Sequence, residues 1–288
     1  MARRPSDVAA PGVGATFGPP QDAPLGVFDS GLGGLTVVRA LRERLPGESI
    51  VYLGDTARVP YGTRSPDTVV KYALGCSKIL ISRGVKAIVV ACNTVSAVAL
   101  EVLRVELDLP VLGVIEPGAR AAAELAAGDI IGVLGTAGTI ASGAYARAVA
   151  AASTRAEVIG QAAPLLVPLV EEGWTDGDVP RLAARRYLEP LVARGAKVIV
   201  LGCTHYPLLR DVIQREAEDL AKGPVRVVDS AHATAGAVAE FLAERMLLSS
   251  KPDGARLDLL VTDLPKSFAE VASRFLGESA DHVTQIDL

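Results

Sequence analysis

The apolar runs of this chain do not alternate with polar residues, and that narrows its possible folds more than any other feature. Residues 86–91, 130–134 and 197–202 read as nearly continuous aliphatic segments. A strand with one wet face alternates apolar and polar side chains. A strand apolar on both faces fits a parallel sheet covered by helices on both sides. Runs of this kind are expected as strands at 25–28, 50–53, 86–91, 111–114, 130–134, 156–160, 197–202, 225–228 and 258–262. Helical patterns fall between them, at 33–45, 65–83, 95–107, 118–127, 139–152, 178–194, 207–221, 231–248 and 265–276. This alternation predicts an α/β protein with doubly wound parallel sheets.

A length of 288 residues leaves room for two domains. The halves are weakly alike. Leu-Gly-Val-Phe-Asp-Ser at 25–30 matches Ile-Gly-Val-Leu-Gly-Thr at 131–136, and each half later carries a strand that ends in cysteine. The reading is two lobes related by a pseudo-twofold, with the active site in the cleft between them. The first lobe is expected over 25–116 plus 226–288 and the second over 117–225. Residues 1–24 are rich in proline and glycine, have no apolar periodicity and no signal-peptide core, and read as a disordered tail.

The two cysteine segments carry the chemistry. Residues 88–94 are Ile-Val-Val-Ala-Cys92-Asn93-Thr94, and residues 199–205 are Ile-Val-Leu-Gly-Cys203-Thr204-His205. The carboxyl end of a parallel strand is where such sheets bind ligands. A following helix would bring N–H groups near each sulfur and favour the thiolate. Two thiols facing across a cleft could remove a proton from one face of a carbon and return one to the other. The third cysteine, Cys76, sits inside a helical pattern with no polar companions and reads as a core residue. His205, two residues after Cys203, reads as an orienting partner or substrate contact.

Asp29-Ser30-Gly31-Leu32-Gly33-Gly34 follows the first strand and opens a helix, a natural seat for a carboxylate or phosphate. A dinucleotide fingerprint fits poorly, because Thr36 stands where the third glycine belongs. Asp55 and the loop Pro60-Tyr61-Gly62 follow the second strand and should line the same sheet edge as Asp29. Glu171-Glu172 would ordinarily be solvated charges at a helix end. Asp229-Ser230 reads as a helix N-cap.

Composition excludes several classes. The net charge is −4, with no basic excess for a nucleic-acid partner. The longest uncharged stretch, 130–146, is broken by four glycines and is no membrane span. Three cysteines make no even disulfide framework, which suits a reducing, cytoplasmic setting. The three histidines are too scattered for a zinc pattern.

Five segments, in order, resemble the motifs of the glutamate racemases, within the aspartate/glutamate racemase superfamily. They are Val27-Phe28-Asp29-Ser30-Gly31-x-Gly33-Gly34, Gly54-Asp55-Thr56-Ala57-Arg58-x-Pro60-Tyr61-Gly62, Ala91-Cys92-Asn93-Thr94, Val167-Pro168-Leu169-Val170-Glu171-Glu172-Gly173 and Gly202-Cys203-Thr204-His205-Tyr206-Pro207. The resemblance spans about Leu25 to Ser230. It implies racemisation of glutamate with no cofactor or metal, supplying D-glutamate for peptidoglycan. By motif, Cys92 would be the base for D-glutamate and Cys203 the base for L-glutamate, assisted by Asp29 and His205; the family also uses an acid of the Glu-Glu-Gly motif, which is Glu171 or Glu172, with Glu171 preferred. Asp29, Ser30, Tyr61, Gly62, Asn93, Thr94, Thr204 and His205 would bind the amino acid. The expected assembly is a homodimer. The rival readings are a racemase for another substrate such as aspartate or a hydantoin, a one-cysteine decarboxylase, and a non-catalytic binder of small anions.

Overall fold

The computed structural model describes residues 21–153, 155–251, 255–264, 268–280 and 282–288. Ten strands among these form two sheets in which every pairing is parallel. The first sheet takes β1 (Leu25–Asp29), β2 (Ile50–Gly54), β3 (Ala87–Val90) and β4 (Val111–Gly113). The second takes β5 (Ile130–Gly135), β6 (Val158–Ala162), β7 (Ala196–Gly202) and β8 (Arg226–Asp229). The chain then returns to the first sheet with β9 (Leu257–Val261) and β10 (Val283–Gln285). The orders are β10-β9-β2-β1-β3-β4 and β6-β5-β7-β8.

Those orders share one pattern. In both sheets the lobe's first strand sits between its second and third, with the fourth outside the third. So β3 and β7, which lead into Cys92 and Cys203, hold equivalent places beside β1 and β5. Every residue of β1, β2 and β3 is buried. This matches the unalternating aliphatic runs, since helices cover both faces.

The covering helices are α1 (Leu35–Arg44), α2 (Pro66–Ser82), α3 (Asn93–Val98), α4 (Leu100–Glu106), α5 (Ile115–Ala126), α6 (Ala137–Ser142), α7 (Ala144–Ala152), α8 (Leu166–Glu171), α9 (Asp178–Ala193), α10 (Arg210–Ala221), α11 (Ser230–Glu244) and α12 (Phe268–Leu276). Ser65 caps α2 by accepting from the Thr68 N–H, with Pro66 at its first position. One apolar cluster runs from Leu25, Val27 and Val89 of the first sheet to Leu134, Ile199 and Leu201 of the second. The lobes therefore share a core.

Four expectations need correction. The single helix expected over 95–107 is divided at Ala99, which closes α3 and precedes α4. The one expected over 139–152 breaks at Gly143, where a left-handed φ of 67° closes α6. The boundary at 225/226 moves, because β8 pairs with β7, so the return to the first sheet comes after Asp229. The tail expected over 1–24 ends sooner. Gln21 accepts from Lys86 Nζ at 2.8 Å, and Asp22 accepts from the Ser250 N–H at 2.9 Å. Residues 1–20 of that tail and 265–267 of the last expected helix lie outside the described residues.

Candidate active site

The carboxyl ends of β1, β3, β5 and β7 converge on a cavity of about 330 Å³. Ser30, Tyr61, Gly62, Cys92, Asn93, Thr94, Glu171, Cys203, Thr204 and His205 all line it. Both cysteines thus reach one space, each from its own lobe. Cys76 is buried inside α2 and lines none of it.

Cys92 forms the N-cap of α3, and its thiol donates to Ser30 Oγ at 3.5 Å. Burial first, and the Asp29 carboxylate second, push this thiol up to about 12, so it is held protonated. Cys203 faces a different partner. Its Sγ lies 3.9 Å from His205 Nδ1, and His205 Nε2 lies 3.0 Å from Glu171 Oε1. Burial opposes charge on the ring, but the thiol and the carboxylate outweigh it and raise His205 to about 10. One thiol therefore sits against a serine hydroxyl beside a buried carboxylate, and the other beside an imidazole that Glu171 holds from behind.

Asp29 does not line the cavity; it lies behind the wall, 1% exposed. Burial raises its carboxyl, opposed by the charge of His205 and the Gly34 N–H. Asp29 Oδ2 accepts from that N–H at 2.8 Å. The anion at the start of α1 is thus the chain's own carboxylate, which corrects the expectation of a ligand seat there. The glycines serve close packing, Gly33 against the second lobe and Gly34 within its own. A Cβ on Gly33 would lie 2.2 Å from Thr204 Oγ1, and one on Gly34 would lie 2.5 Å from Asp29 Cβ.

Tyr61 also departs from expectation. Its hydroxyl bonds to Asp55, a fully buried carboxylate that also accepts from Arg58 at 2.9 Å and Thr262 at 2.7 Å. The ring forms wall, and its hydroxyl is committed elsewhere. The Gly62 carbonyl accepts from the Gly138 N–H at 3.0 Å, a bond between the lobes. Of the two acids left open in the sequence, Glu171 lines the cavity, while Glu172 forms the exposed C-cap of α8.

Several lining residues escaped the sequence reading. Thr136 follows β5 as Ser30 follows β1, and the likeness of 25–30 to 131–136 was the available signal. Thr136 Oγ1 is 2.9 Å from Thr94 Oγ1, across the lobes. Val167 and Pro168 stand in the Glu-Glu-Gly motif, which assigns them no role; they enter from α8, a short helix with no sequence periodicity to announce it. Phe275 and Arg274 of α12 do not line the cavity but back two residues that do. The Phe275 ring stands edge-on to His205 at 5.1 Å, and Arg274 donates to the Glu171 carbonyl at 2.8 Å. Among the described residues no cluster of three or more His, Cys, Asp or Glu is placed to hold a metal.

Comparison with known proteins agrees with this geometry. A family model for the Asp/Glu/Hydantoin racemases matches residues 35–238. The glutamate racemase of Geobacter metallireducens is 49% identical over 264 residues, which is 92% of this chain and 96% of that one. A solved structure of Francisella tularensis glutamate racemase in complex with D-glutamate superposes with a TM-score of 0.85 at 35% identity, covering 93% of this chain and 98% of the other. The Thermus thermophilus glutamate racemase in complex with β-chloro-D-alanine gives 0.83 at 44% identity, again over 93% and 98%.

Proposed function

Because the chain belongs to the glutamate racemases, within the Asp/Glu/Hydantoin racemase family, we propose that it interconverts L- and D-glutamate by a two-base reaction between Cys203 and Cys92. The observation that carries this reading is the placement of both thiols, each from its own lobe and each with its own polar partner, on one cavity. From L-glutamate, the Cys203 thiolate takes the α-proton, and the Cys92 thiol delivers its own proton to the opposite face. Cys203 is then the thiol and Cys92 the thiolate. That state is set for D-glutamate, and running the reaction backwards restores the first. His205, with Glu171 behind it, supports the charge on Cys203, and Asp29 and Ser30 stand behind Cys92.

The carbanion must form beside a carboxylate. Fixed donors oppose that cost in a site shielded from water, and Ser30, Thr94 and Thr204 are the side chains placed to do so. The reaction as proposed draws on no cofactor. The cellular role that goes with it is supply of D-glutamate for peptidoglycan, in the cytoplasm and as a homodimer. Family likeness supports that role. No helix among the described residues is long and apolar enough to cross a membrane.

The test is loss of optical activity from pure L-glutamate, run in D2O with no added cofactor. The expected result is an equal mixture of enantiomers, with deuterium at Cα of the product. Retained optical activity with glutamate, or faster turnover of aspartate, would overturn the assignment.

A further inference from the structure

Asn93 is held by a residue from the opposite lobe that does not itself line the cavity. Asn93 opens α3 and is 2% exposed. Tyr145, from α7, is 3% exposed, and its hydroxyl donates to Asn93 Oδ1 at 2.7 Å. The tyrosine ring is closely confined, since a Cβ on Gly202 would lie 3.1 Å from Tyr145 Cε2. The other end of the amide is different. Asn93 Nδ2 is buried and has no hydrogen-bond partner among the described residues. A buried N–H left in that state costs on the order of 1–3 kcal/mol, so it calls for an acceptor. Asn93 lines the cavity, and what fills the cavity can supply one.

An amide offers an acceptor at one end and donors at the other. With the acceptor end committed to Tyr145, the donor end is left for the cavity. We propose that Tyr145 is a positioning residue whose hydroxyl locks the Asn93 amide, so that Nδ2 meets a carboxylate of the bound amino acid. This rests on the glutamate reading above. Without the hydroxyl, the amide can turn over and set its oxygen against the substrate carboxylate. Tyr145 belongs to the second lobe and Asn93 to the first, so the donor is aimed only while the lobes are docked.

The experiment is a double-mutant cycle on steady-state kinetics in both directions. The contact is to a group charged in ground and transition states alike, so its loss falls on KM. Tyr145→Phe is expected to raise KM about tenfold for both enantiomers, roughly 1.4 kcal/mol, with kcat within about threefold. In an Asn93→Ala background the same change should move KM less than about twofold. Asn93→Asp is a second background should the alanine variant fail to fold; it still accepts from Tyr145 but offers no N–H. A KM unchanged by Tyr145→Phe alone overturns the proposal. So do losses that multiply in the Asn93 backgrounds, which mark a general packing role. Wild-type protein without glutamate racemisation overturns the functional reading, and the lock falls with it.

Discussion

His205 Nε2 lies 3.0 Å from Glu171 Oε1, on the ring edge opposite the Cys203 thiol. The imidazole therefore touches a carboxylate and a sulfur at once, and its proton affinity belongs to that trio. Removing either partner should lower it.

Glu171→Gln should bring the His205 titration down from about 10 toward the ordinary histidine value near 6.5. The folded value lies above the unfolded one. The stability this group contributes is therefore complete below about 6.5 and lost as pH rises through about 10. In the variant the contribution should be smaller and its loss complete at lower pH. Proton NMR of the imidazole Cε1–H reads the titration directly. A variant that titrates with the wild type would remove Glu171 from the trio.

Cys92→Ser and Cys203→Ser should each lose nearly all racemisation, because a hydroxyl ionises far less readily than a thiol near neutral pH. Each keeps one base, so one-sided chemistry should survive on a substrate with a leaving group at Cβ. Cys92→Ser should eliminate from the L-enantiomer, and Cys203→Ser from the D-enantiomer. Cys76→Ser should racemise close to wild type. Chiral chromatography of the unreacted substrate decides it: both variants consuming the same enantiomer would end the two-base assignment.

Tyr61→Phe separates wall from contact. The hydroxyl is bound to Asp55, away from the cavity. Its loss strips a buried carboxylate of one donor and should cost on the order of 1–3 kcal/mol of stability. KM for glutamate should stay within about threefold of wild type. A KM tens of times higher in a stably folded variant would mean that the hydroxyl reaches substrate.

The two cysteine strands were legible because local chemistry announces them: an aliphatic run, then sulfur, then small polar residues. Gly33 was legible as a glycine but not as what it does. Its role depends on Thr204 and His205, which approach it from the other lobe. Tyr61 misled for a related reason, since a hydroxyl beside a cavity looks available until its partner Asp55 is placed. Phe275 and Arg274 were invisible. Nothing in the amphipathic pattern of α12 tells that it packs against His205 and Glu171. Strand β10 is three residues at a sheet edge, too short for periodicity to mark it.

Lys86→Met should be among the most destabilising single changes outside the site. Lys86 is fully buried, with Nζ 2.5 Å from Glu48 Oε2, and it also donates to the carbonyls of Gln21 and Leu247. Removing the cation leaves a buried carboxylate with no charged partner, held only by the Ser249 N–H at 2.6 Å, a cost of about 3–5 kcal/mol. Urea titration measures it. A loss under about 1 kcal/mol would show that the carboxylate finds another partner or protonates easily.

The return of β9 and α12 to the first sheet also has a consequence in time. Chains emerge from the ribosome at about 5–20 residues per second. His205 therefore precedes by several seconds Phe275, which covers its ring, and Arg274, which caps Glu171. Until then the imidazole lacks its apolar cover. During synthesis both sulfurs therefore precede the part of their setting that α12 supplies.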